Sequence, residues 1–106
     1  MQHKEMISLM EKILKQAKQI HSQGQKEYAH DDSNVFANFE RVGSNLNISK
    51  EKALLVYLLK HIDGICSHVD GYETQRDSIF GRLTDAIVYL CILWAMIEES
   101  TKVEGP

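Results

Sequence analysis

The chain has 106 residues, which suits one domain and rules out a multidomain design. Its net charge of −3, with five histidines counted as neutral, is spread along the chain. That excludes a protein that coats nucleic acid, which needs a basic patch to displace counterions, but leaves room for a small anionic ligand held by a few cations.

The only proline is Pro106, so nothing inside the chain forces a helix to break. The first helix is expected over Lys4–Ser22, with Met6, Leu9, Met10, Ile13, Ala17 and Ile20 on one face. Lys12, Lys15, Gln16 and Gln19 form its solvated side, and Gly24 is the expected stop. Residues 25–33 are polar and turn-like, with Asp31, Asp32, Ser33 and Asn34 as candidate caps. The second helix is expected over Asn34–Leu46, with Val35, Phe39, Val42 and Leu46 on its apolar stripe.

Ser49 is the natural N-cap of a third helix, Lys50–Val69, and Glu51 in its first turn complements the helix dipole. Asp70 and Gly71 signal its end. After the polar "YETQRDS", Asp77 or Ser78 caps a last helix, Ile79–Ser100, and residues 101–106 are expected to fray. From Ala86 to Ile97 that helix is apolar on every side, the pattern of a helix buried all round. A small four-helix monomer can cover only part of such a surface. The expected architecture is therefore a single-domain, all-α four-helix bundle that forms a homo-oligomer through its C-terminal helix.

The apolar run Ala86–Ile97 is shorter than the ~20 residues of a membrane span, and the polar amphipathic N-terminus does not read as a signal peptide. A soluble, cytoplasmic protein is expected, without membrane or nucleic-acid partners. Cys66 and Cys91 lie in apolar contexts and read as reduced core residues.

Three constellations could carry chemistry. The first would be paired carboxylates around Mg²⁺, but Glu5 and Glu11 are too far apart, and Asp63 and Asp85 each stand alone on their helices. Four of the five histidines, at 21, 30, 61 and 68, do not make a compact metal signature, and no nucleophile motif is present. Neither a metal site nor catalytic residues are assigned.

The second constellation is cationic. Lys60 and Asp63 share a face of the third helix; Arg82, Asp85 and Tyr89 share one of the last. One reading is intrahelical ion pairing with Tyr89 as core. The other has Asp85 reaching across to Lys60 or His61, orienting them toward a phosphate, with Arg82 available for a bidentate contact. Because Lys60 and Asp85 interrupt apolar helices, partial burial of both is expected. Lys60 and His61 are neighbours in sequence but point about 100° apart. The third constellation is "EYAHDDSNVFANFERVG". There Phe39 reads as core, while Tyr28, Phe36 and Asn38 are candidates for a pocket rim that stacks on and reads a base.

In order, "KEYAHDDSNVFANFERVG", "ALLVYLLKHIDGI" and "GRLTDAIVYLCILWAMI" resemble segments of small bacteriophage and prophage proteins described as MazG-like or nucleotide-modification-associated. The likeness runs from about Lys26 to Glu98. It implies two functional classes. One is MazG-like, Mg²⁺-dependent removal of pyrophosphate from a nucleoside triphosphate, although the E-x-x-E and aspartate metal ligands of that pattern are missing here. The other is the phage sponge, a helical oligomer that sequesters a signalling nucleotide, linear or cyclic, to counter host immunity. It needs cations and aromatics but no metal and no cofactor, and would act in the host cytoplasm. The expected site then comprises Lys60 and Arg82 on phosphates, His61 as a donor, Asp85 orienting the cations, Tyr28, Phe36 and Asn38 around the base, and Tyr89 beside them. A structural or protein-binding adaptor is the third class; it would show an exposed apolar patch.

Overall fold

In the computed structural model, described for residues 1–29, 33–72 and 77–104, the chain is all-helical. Helix α1 spans His3–Gly24, α2 Ala37–Leu46, α3 Lys50–Val69 and α4 Ile79–Glu104. Helix α4 is the axis of the fold: it packs against α1 on one flank and α3 on another, and α2 packs on α3.

The turn chemistry explains most of the boundaries. The Ser49 side chain accepts the Lys52 N–H at 3.1 Å, capping α3. Ser78 does the same for Gly81 at 2.9 Å at the start of α4. Helix α2 ends in a Schellman motif: Asn47 takes the left-handed conformation (φ 59°), and the Ile48 N–H reaches back to the Gly43 carbonyl at 2.9 Å. Gly43 is required there, since a Cβ would lie 2.7 Å from the Ile48 carbonyl oxygen. The same motif closes α3, with Gly71 at φ 94° and the Tyr72 N–H on the Ser67 carbonyl.

Three boundaries depart from the sequence expectation. Gly24 does not stop the chain; α1 runs on into a π-helical turn, Gln25–Ala29. Gly24 keeps an ordinary helical backbone, and loss of the i→i−4 register is what ends the α-helix. Helix α2 starts at Ala37 rather than Asn34, because the Asn34 side-chain oxygen accepts the Phe36 N–H at 3.0 Å and holds a turn ahead of the helix. Asp31 and Asp32 lie outside the described residues. Helix α4 continues through Glu104, past the expected end at Ser100. The Thr101 hydroxyl bonds the Ile97 carbonyl along that extension.

The core is small. Phe36, Phe39, Leu54 and Met96 form its buried centre, with Tyr57, Tyr89, Ile92 and Leu93 packed round it. An expectation about burial fails: Cys66 and Cys91 are free thiols at exposed positions rather than core residues. Helix α4 is covered on only part of its circumference in the single chain, as expected of a small monomer: Phe80 is 75% and Trp94 74% exposed. The segment Ile79–Lys102 is, by length and composition alone, long and apolar enough to cross a bilayer, a longer stretch than the Ala86–Ile97 run. One side of it is nonetheless committed to helix contacts, where Met96, Ala86 and Thr84 are buried.

Candidate functional site

Helices α3 and α4 meet as an antiparallel ladder. Rising along α3, Tyr57, His61 and Gly64 are spaced i, i+4, i+7 and therefore share a face. They meet Tyr89, Asp85 and Arg82, falling along α4. Tyr57 and Tyr89 stack with ring planes 17° apart and centroids 6.3 Å apart. His61 Nε2 lies 3.8 Å from an Asp85 carboxylate oxygen, and its ring lies 5.4 Å from that of Tyr89. Phe39 from α2 packs against both tyrosines in T-shaped pairs, its ring centroid 6.0 Å from each.

At the third rung the Arg82 guanidinium lies across Gly64, in the space a side chain there would fill. Helix α3 lacks a Cβ where the arginine crosses it. The Arg82 Nε is buried without a hydrogen-bond partner.

Above the first two rungs a cleft of about 600 Å³ opens between the end of α1, the π-helical turn, α2 and α4. Tyr57, Asp85 and Tyr89 line it from the ladder, Asn38 and Phe39 from α2, and His21 from the end of α1. The π-helical turn gives the cleft its fourth wall, through Gln25 and Glu27. Such turns recur at functional sites because they re-aim side chains that a regular helix would hold in register. Gln25 is also tied to the start of α2, its side-chain N–H₂ donating to the Asn34 carbonyl at 3.1 Å.

The electrostatics are acidic rather than basic. Among the described lining residues there is no lysine or arginine, while Asp85 and Glu27 both face the cavity. Burial pushes the Asp85 carboxyl above its ordinary value; nearby His61 partly offsets this, and Asp77 adds to it. Asn38 accepts from the Arg41 guanidinium through its side-chain oxygen at 3.1 Å, which leaves its N–H₂ to donate.

The residues expected at a site are thus only partly gathered. Asn38, Asp85 and Tyr89 line the cleft. His61 stands behind them on Asp85. Arg82 is one rung further away, laid over α3. Phe36 is not a rim residue; it is 6% exposed and belongs to the core. Lys60 is exposed rather than partly buried, because the ladder face of α3 falls at Tyr57, His61 and Gly64, and its neighbour His61 is the one that meets Asp85. Tyr28 lies in the π-helical turn, and its side chain is outside the described residues. Tyr57 and His21 were not anticipated. His21 falls four residues after Ala17, the buried position of α1, so helical spacing places it on that inward face. Among the described residues no three His, Cys, Asp or Glu side chains group closely enough to hold a metal ion.

Comparison with protein-family models, with curated proteins and with solved structures returned no match.

Proposed function

We propose that the protein is a homo-oligomeric binder of a small phosphorylated nucleotide, linear or cyclic, which it sequesters without turnover. The supporting observation is the cleft itself. Its volume of about 600 Å³ lies in the range of small-molecule sites, and the near-parallel Tyr57 and Tyr89 rings stand beside Asp85 and Asn38. That combination suits a nitrogen heterocycle: the phenol rings supply apolar and stacking surface, the Asp85 carboxylate accepts from a ring or exocyclic N–H, and the Asn38 N–H₂ donates to a ring acceptor. The phosphates are left to the mouth of the cleft on the His21 side, since the described lining carries no lysine or arginine. Lys60 has no part in this arrangement. The resemblance to phage nucleotide proteins supports the counter-immunity role.

An adaptor reading has separate support in the open apolar face of α4.

The test is to incubate the protein with a panel of nucleotides and cyclic dinucleotides, with and without Mg²⁺, remove free ligand, and analyse what heat denaturation releases. Intact ligand recovered only after denaturation is expected, lost in Tyr89→Leu and retained in Lys60→Ala. Metal-dependent product would replace this reading with hydrolysis. Absence of both binding and turnover at micromolar protein would refute it.

A further inference from the structure

Six apolar residues of α4 follow one another at alternating spacings of three and four: Phe80, Leu83, Ile87, Leu90, Trp94 and Ile97. That is the spacing of a helix–helix seam. Five of the six are exposed, Phe80 and Trp94 most of all, and Ile87 is half-buried. At about 100° per residue the stripe lies roughly opposite Asp85, Tyr89 and Ile92, which line the cleft. Helix α3 carries a second exposed stripe, Leu55, Leu59 and Ile62, but it lies roughly opposite Tyr57 and so faces away from α4 rather than joining this face. At roughly 100 Å² of open apolar surface per side chain, the α4 stripe amounts to roughly 600 Å². That is the upper end of the about 300–600 Å² of a typical monomer's largest patch, and two such stripes together reach the about 1,200 Å² at which stable interfaces begin.

We propose that this face is covered by a second copy of the chain, with the two α4 helices antiparallel about a two-fold axis at Leu90. The proposal rests on the homo-oligomeric reading above and specifies its surface and register. Self-pairing about a two-fold brings one stripe against itself. In the antiparallel register Leu90 meets Leu90, Ile87 meets Trp94 and Leu83 meets Ile97, while Phe80 at the end of the stripe falls beside Ser100. A parallel register would gather Glu98 and Glu99 from both copies at one end, with like helix dipoles side by side. The antiparallel one separates those charges by roughly 25 Å along the helices. A bilayer is a poorer occupant. A spanning α4 would have to leave α1 and α3 and carry Asp85 into hydrocarbon.

Cysteine cross-linking decides the register. In a chain with Cys66→Ser and Cys91→Ser, the L90C variant is expected to oxidise to a covalent dimer, whereas L83C and I97C do so only when the two are co-expressed. Self-cross-linking of L83C and of I97C would overturn the antiparallel register. A dimeric mass by light scattering with none of these cross-links would overturn the α4 face while leaving the homo-oligomeric reading intact. A monomeric mass at high micromolar protein overturns both; if that monomer also sediments with phosphatidylglycerol vesicles, the face belongs to a lipid surface. Nucleotide retention is measured separately on the same samples, so failure of the interface is distinguishable from failure of the cleft.

Discussion

Replacing Gly64 with Ala sets two effects of similar size against each other. Glycine in a helix interior is about 1 kcal/mol less favourable than alanine, so the substitution should stabilise α3 by roughly that amount. The new Cβ, however, lands on Arg82: the three nearest atoms it would meet all belong to that side chain, guanidinium and Cδ included. Expelling them is an overpacking cost of about 1–3 kcal/mol. It should fall toward the lower end, because the far end of an arginine can swing away and because the buried Nε has no hydrogen bond to lose. The net expectation in the wild-type chain is a change from near zero to about 2 kcal/mol destabilising. With Arg82→Ala in place, the steric cost disappears and the propensity gain remains, so Gly64→Ala should then stabilise by about 1 kcal/mol. The double-mutant coupling is therefore about 1–3 kcal/mol. Urea unfolding followed by circular dichroism measures it, at one fixed protein concentration because self-association shifts apparent stability. Equal effects of Gly64→Ala in the two backgrounds would refute the notch.

Asp85→Asn tests the buried carboxyl through pH. A folded-state value raised by desolvation means that the native protein holds the Asp85 proton more tightly than the unfolded chain does. Stability is then lost as pH rises from the ordinary carboxylate value through the raised one, and the loss persists above it. Asn should therefore stabilise above that window and make no difference below it; a constant difference across a pH series of thermal melts would contradict the assignment. Ser49→Ala should cost about 1 kcal/mol by removing the α3 cap, and an unchanged urea midpoint would show the cap to be dispensable.

Local signals carried far in this chain. The four helices, the Ser49 and Ser78 caps and the Asn47 and Gly71 terminators depend on residues within a few positions of each other, so spacing and side-chain type determine them. For the same reason the i, i+3, i+7 grouping of Arg82, Asp85 and Tyr89 was visible before any packing was known. What spacing could not reveal is which neighbour each face meets. Lys60 and His61 differ by one position and about 100°, and only the docking of α3 on α4 puts His61 on Asp85 and leaves Lys60 in solvent. Burial of Phe36 and the outward turn of Phe80 and Trp94 were equally hidden. A uniformly apolar helix declares that it must be covered, but not by what. The cleft itself needed tertiary structure, because its walls come from all four helices and the π-helical turn, and that turn replaces the stop expected at Gly24. Sequence determined the elements and their faces because those depend on short-range geometry; packing alone decided which faces meet each other and which are left open.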